Sequence, residues 1–215
     1  MKIPEHWTFK SEGVAENFDE HVRESLPWYD LATKTLAHVV RHYITEGGIV
    51  YDIGCSTGNV GNAIKETIDE RKVDFMPIDN SKEMAELYNG PGMPPFICDA
   101  VSFQYRPFDV AVCFLSLMFI PPGEREELLK TLRKKCKKGG AIIVFDRCLP
   151  LSGYPSLILS RLTLVNKLIA GVDPKEILSK ELSLIGIQRP IDVETLEPCV
   201  EIFRMGDFAG WILEQ

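Results

Sequence analysis

Histidine is scarce in this chain. Four stand in 215 residues, and all of them (His6, His21, His38 and His42) fall within the first 42. No HExxH spacing occurs, which argues against a metal hydrolase, and the scarcity argues against a histidine-based triad. The six cysteines (Cys55, Cys98, Cys113, Cys136, Cys148 and Cys199) include no CxxC pair, and several sit inside apolar runs. They read as free, buried thiols of a reducing, cytoplasmic compartment, not as a disulfide framework or a zinc site, and no metal is expected. No apolar run approaches the ~20 residues that a membrane-spanning helix needs. The opening MKIPEHWTFKSEG lacks the apolar core of a signal peptide. Basic residues are outnumbered, 24 Lys+Arg against 31 Asp+Glu, for a net charge of −7. That balance disfavours a whole-surface attraction to nucleic acid or anionic membrane. Internal repeats and low-complexity segments are absent too.

What is present is a globular composition, 45% apolar and 26% charged, enough to build a core. Val14 to Tyr43 has helical spacing broken at Leu26-Pro27-Trp28, which predicts two helices. Ile49 to Ile53 reads as a strand, followed by the turn GCSTGN and an amphipathic helix over Val60 to Ile68. Val73 to Ile78 is a second strand ending at Asp79, with Ser81 placed to cap a helix over Lys82 to Tyr88. Phe96 to Cys98 is a third strand, ending at Asp99. Phe108 to Phe114 is a fourth, apolar enough to be covered on both faces. Glu124 to Lys137 is helical, stopped by Gly139-Gly140, and Ala141 to Phe145 is a fifth strand. Beyond Arg147 the alternation gives way to two helices (Pro155 to Ala170 and Pro174 to Ile185) and a terminal hairpin (Val200 to Arg204, Phe208 to Leu213). The expected fold is α/β: a doubly wound, mostly parallel seven-stranded sheet with a terminal antiparallel hairpin. It is read as one domain: residues 1–48 as covering helices, 49–147 as the cofactor-binding core and 148–215 as acceptor-side helices and edge hairpin.

Three acidic features sit at the C-terminal ends of successive strands, where open parallel sheets bind ligands. In Asp52-Ile53-Gly54-Cys55-Ser56-Thr57-Gly58, glycines let the backbone approach a ligand closely, and the helix that follows offers free N–H groups. The spacing of Gly54, Gly58 and Gly61 departs from the dinucleotide GxGxxG pattern. An acid ahead of the turn disfavours a pyrophosphate and favours a zwitterionic amino-acid tail. Asp79 is placed to take both ribose hydroxyls. Asp99-Ala100 can accept from an adenine amino group.

VYDIGCSTGN, MPIDNS with Met84, and ICDA together resemble the class I S-adenosylmethionine-dependent methyltransferases. WTF, VAENF, SLPWYD, FLSLMFIPPGER and KKGGAIIVFD extend the resemblance toward carboxy-S-adenosylmethionine synthases. Those enzymes convert the cofactor, with prephenate, into a donor for tRNA wobble uridine. Carried over position by position, the resemblance implies cofactor contacts at Tyr29, Gly54, Cys55, Ser56, Asp79, Asn80, Asp99 and Ala100. Two positions depart from the synthase family. Phe114, at the cofactor, stands where that family has asparagine. Glu181 stands where it has the arginine that holds the extra carboxylate. The resemblance therefore implies S-adenosylmethionine as cofactor, S-adenosylhomocysteine as product, and a methyltransferase acting on a small molecule or a nucleic-acid base such as one in tRNA. A carboxy-S-adenosylmethionine synthase and a non-catalytic cofactor-binding protein are the alternatives. Asp146, Arg147, Tyr154 and Arg161 are acceptor-side candidates, and Trp28 and Tyr29 are candidates for a lid. Arg133 to Lys138 (RKKCKK) reads either as a phosphate-binding patch or as a solvated helix end. The apolar helix over Leu157 to Ile169 is a candidate pocket wall, sheet cover or homodimer contact.

Overall fold

The structure, a computed structural model, describes residues 4–149 and 153–215. The N-terminal segment read as residues 1–48 and the C-terminal one read as 148–215 thus each lose three positions (1–3 and 150–152) to the undescribed residues. Seven strands form one sheet in the order β3-β2-β1-β4-β5-β7-β6. They are β1 (Ile49–Ile53), β2 (Asp74–Asp79), β3 (Phe96–Ile97), β4 (Phe108–Phe114), β5 (Cys136–Arg147), β6 (Val200–Met205) and β7 (Phe208–Glu214). The first five pair in parallel, and β7 runs antiparallel between β5 and β6. The terminal hairpin thus folds back so that its second strand, not its first, meets β5. The chain order reverses between β1 and β4, which creates the crevice where such sheets take ligands.

All seven residues of β4 are buried, because helices cover both faces. Alternate side chains go to opposite sides, as strand geometry demands. Val50, Val110, Val112, Ile143 and Phe145 join one apolar cluster. There they meet Leu36 and Val40 of α3 (Tyr29–Val40) and Val60 of α4 (Asn59–Ala63). Tyr51, Ala111, Cys113, Ile142 and Val144 join the other, against Leu128, Leu129 and Leu132. Those three leucines lie on α7 (Pro122–Lys135).

Several boundaries differ from the sequence expectation. A short α1 (Glu12–Ala15) precedes α2 (Phe18–Ser25). The helix read over Val60 to Ile68 is split at Ile64, so that α4 is followed by α5 (Lys65–Arg71). Ser81 caps α6 (Lys82–Glu86), accepting from the Met84 N–H. Helix α7 stops at Lys135, and Gly139-Gly140 lie inside β5 rather than ending the helix. The reason is a bulge: Phe108 faces Cys136 while Val110 faces Ala141, so the extra β5 residues, both glycines among them, loop out of register. Beyond the sheet run α8 (Gly153–Ile169) and α9 (Pro174–Ser183).

Two of the five basic residues in the run have partners among the described residues. Arg133 donates to the carbonyls of Leu196 and Glu197. Lys137 pairs with the buried Asp109 at 2.6 Å. Burial alone would push the Asp109 carboxyl up, but Lys137 and Thr45 hold it below the usual carboxylate range.

Candidate cofactor site

A cavity of about 170 Å³ opens at the C-terminal ends of β1 to β4. Gly54, Cys55 and Ser56 form one wall, and Asp79, Asn80 and Met84 a second. Asp99 and Ala100 form a third, while Tyr29 and Phe114 close it from the far side of the sheet crevice. The structure therefore brings ten of the twelve sequence-predicted cofactor residues to one cavity. Asp52 and Gly58 lie behind it. Tyr29 stacks edge-on against Phe114. Trp28 does not join it there, because its ring packs against Phe203 and Phe208.

The first turn hangs from its neighbour strand: the N–H groups of Gly54 and Cys55 both donate to the Ile78 carbonyl, at 2.8 and 3.0 Å. Gly54 has φ +75°, and a Cβ there would stand 2.7 Å from that of Ser116. At Gly58, with φ +100°, a Cβ would meet the Gly90 nitrogen at 2.6 Å. Gly58 thus sets the turn against the loop after α6 instead of touching the cavity. Ser56 also takes a left-handed φ of 51°, a strained conformation for a non-glycine residue that clusters at ligand sites. That twist aims its N–H at Asp79 Oδ2, 2.8 Å away. Asp79 Oδ1 accepts from the Ser81 N–H at 2.9 Å. Burial nonetheless outweighs these backbone donors and raises the Asp79 pKa.

Asp52 is almost wholly buried, and neither of its carboxylate oxygens has a hydrogen-bond partner. Burial first, then the nearby Asp79 charge, push its pKa up to about 8. The Ser116 hydroxyl, on the cavity wall, is buried and unpartnered as well. Buried polar groups are normally satisfied, so these orphans fit a polar ligand that brings an ammonium and hydroxyls. Cys55 is no nucleophile: burial drives its thiol far above the ordinary range.

The Ser81 hydroxyl ties this site to the N-terminal segment. It accepts from Met84 N–H at 3.1 Å and donates to the Phe9 carbonyl at 2.7 Å, so Phe9 is held over the cavity it lines. Ser81→Ala is expected to cost about 1–2 kcal/mol, read as a lowered urea midpoint with unchanged slope.

A second cavity, of about 100 Å³, adjoins the first. Phe9, Phe18, Leu115 and Phe119 line both. Of the acceptor-side candidates, only Arg147 reaches it. Its guanidinium donates to Asp207 at 2.7 Å, Gln188 at 2.7 Å and Glu181 at 3.3 Å. Glu181 is also paired with Lys167 at 3.0 Å, so its carboxylate is neutralised from two sides. Asp146 lies instead inside the sheet, where it accepts from the N–H groups of Met118 and Arg147. Tyr154 and Arg161 are exposed on α8 and line neither cavity. That helix turns Thr163 and Lys167 inward, and neither candidate falls on that face. Sequence reasoning missed His21, Lys167, Lys180 and Gln188 in the second cavity.

A family model described as a methyltransferase domain matches residues 50–140, the stretch that holds all three strand-end acids. The chain is 27% identical over 212 residues to a carboxy-S-adenosyl-L-methionine synthase of Staphylococcus epidermidis, covering 97% of this chain and 92% of that protein. A protein of the same name from Geobacter metallireducens is 30% identical over 145 residues, 63% of this chain and 59% of the other. Among solved structures, the plantazolicin methyltransferase BpumL in complex with SAH superposes with a TM-score of 0.61 at 14% identity, over 94% of this chain and 89% of that one. Human N-acetylserotonin methyltransferase in complex with SAM gives 0.60 at 13% identity, over 96% and 57%. These two likenesses are likenesses of fold.

Proposed function

We propose that this chain, a member of the class I S-adenosylmethionine-dependent methyltransferase superfamily, transfers the methyl group of its cofactor, S-adenosylmethionine, to a small molecule. The observation that carries this reading is the placing of Asp79 and Asp99 on the wall of one cleft, with the unpartnered Asp52 carboxyl buried behind it, at three neighbouring strand ends. Asp79 would take the ribose hydroxyls, Asp99 the adenine amino group, and Asp52 the ammonium of the amino-acid tail. The bound cofactor supplies a methyl group already activated on a sulfonium. The protein's tasks are then alignment and exclusion of water. Phe9, Phe18, Phe114 and Phe119 line the same cavity, and their apolar rings disfavour water beside the reacting atoms. The small volume of the adjoining cavity, about 100 Å³, and its aromatic lining favour a small acceptor over a base still attached to tRNA.

The test is transfer of a tritiated methyl group to separated pools of small metabolites and tRNA. Label is expected in the metabolite pool. Label confined to RNA would overturn the small-molecule assignment, and no label in either would leave a cofactor-binding protein without this activity. The synthase names of the curated relatives support a second reading, conversion of the cofactor to its carboxylated form. Against it, Glu181 stands where the synthase family is expected to carry an arginine. An added carboxylate would find Arg147 and Lys167 already engaged by that glutamate. Incubation with S-adenosylmethionine and prephenate is expected to give no carboxylated cofactor by mass spectrometry, and its appearance would install the second reading.

A further inference from the structure

The second cavity contains four ionisable cationic side chains, and three of them have acidic partners. Arg147 is paired with Asp207 and Glu181, Lys167 with Glu181, and His21 faces Glu176 at 3.6 Å. Among the described residues, no carboxylate lies within ion-pair distance of Lys180; its ammonium nitrogen lies over the Trp7 ring instead. The Trp7 indole N–H is also buried without a hydrogen-bond partner. The cavity therefore holds an amine without a carboxylate partner, set among the rings of Trp7, Phe9, Phe18, Phe119 and Phe208.

We propose that this cavity is the acceptor pocket, that it takes a small, uncharged ring compound bearing a weakly acidic hydroxyl (a phenol or an enol), and that Lys180 is the base that takes the hydroxyl proton. The proposal rests on the methyltransferase reading and names its acceptor class. Charge decides between a neutral acid and a carboxylate. Arg147 and Lys167 are balanced by Asp207 and Glu181, so a pre-formed anion would bring an uncompensated charge into a site lined mostly by apolar side chains. In the reaction the hydroxyl oxygen bonds to the methyl carbon while the carbon–sulfur bond breaks, its electron pair staying on sulfur. The hydroxyl proton passes to Lys180 Nζ.

The groups facing Lys180 are Lys167 on α8, Glu176 and Glu181 on its own helix, and His21 on α2. Burial, then the Lys167 charge, bring the lysine down to about 6, against the weaker pull of the two glutamates. The amine is therefore largely free at neutral pH. His21 is lowered further, to about 4, by burial and by Lys180, which makes it the weaker base of the two.

The test uses the full chain saturated with S-adenosylhomocysteine and para-nitrophenol as probe, followed by visible absorption below the dye's own pKa. The bound dye is expected to show its phenolate band with no net proton release to a weakly buffered solution. Lys180→Met should lose the band and bind the dye about 10- to 100-fold more weakly, with unchanged affinity for S-adenosylhomocysteine. Absence of dye binding, or a bound dye that stays protonated, overturns the pocket assignment. A phenolate band accompanied by release of one proton shows that Lys180 was already an ammonium and overturns the base. Preferential binding of para-nitrobenzoate by about tenfold or more overturns the neutral acceptor class. Failure to bind S-adenosylhomocysteine in the first place would instead strike at the cofactor reading.

Discussion

Asp79→Ala is expected to weaken S-adenosylhomocysteine binding by at least about 100-fold. The carboxylate lies at the end of β2, on the cavity wall, with its orientation fixed by the N–H groups of Ser56 and Ser81. Hydrogen bonds to a charged acceptor contribute about 1.5–3 kcal/mol each. Two ribose hydroxyls on one carboxylate therefore amount to roughly two to four decades of affinity. Asp79→Asn keeps the shape but turns one acceptor into a donor, so it should fall between wild type and alanine. Titration calorimetry reads both, with a cooperative thermal transition as the check that each variant is folded. Retention of binding within about tenfold by the alanine variant would remove Asp79 from the adenosyl site. The pH dependence has a definite sign. Only the ionised carboxylate can accept from both hydroxyls, and burial raises its pKa. Wild-type affinity should therefore start to fall at a higher pH than for an ordinary aspartate.

The features that make this prediction possible were legible in the sequence. Strands β1, β2 and β4 are short, nearly unbroken apolar runs, and each of the first three strands ends at or beside an acid, so type and order could be read from local pattern alone. The β7–β6 inversion could not. A hairpin signal says that two strands pair, and the choice of which one meets β5 is made by packing, with Trp211 and Leu213 buried on the sheet. The second cavity was illegible for a related reason. Trp7, His21, Lys167 and Lys180 come from the N-terminal segment, α2, α8 and α9. No motif spaces them, and their shared property is a polar group, buried or half-buried, that composition would place outside. Tyr154 and Arg161 looked equally suitable on paper. The rotation of α8 decides against them, and nothing in an apolar helix with weak amphipathicity announces which face turns inward.

Asp52→Asn is expected to stabilise the ligand-free protein increasingly as pH rises, by several kcal/mol at pH 8 and above. Both Asp52 oxygens are buried and unpartnered, and the carboxyl is pushed up to about 8 from an unfolded value near 4. Between those two values the native protein holds a proton that the unfolded chain has released. Stability from this group is therefore greatest below about pH 4 and falls by about 1.4 kcal/mol per pH unit until the folded pKa is passed. Other buried groups titrate in the same window. Asp146, raised to about 7, acts in the same sense. Lys180 and His21, both lowered by burial, act in the opposite one. The diagnostic quantity is thus the difference between variant and wild type, in which those contributions cancel to first order, while Asp79, whose charge acts on Asp52, stays coupled to it. Urea unfolding of both proteins from about pH 5 to 9 should give a difference that climbs with pH and then levels off; a flat difference would mean that Asp52 is not held neutral. Saturating S-adenosylhomocysteine should reverse the trend. An ammonium beside Asp52 favours the carboxylate, so ligand binding near pH 7 must expel a proton. The stabilisation that the ligand confers should then grow with pH in the wild type and grow less in the asparagine variant, where only Asp79 still titrates in the site. A residue that destabilises the empty protein at alkaline pH is in this way the one that couples binding of the amino-acid end of the cofactor to pH.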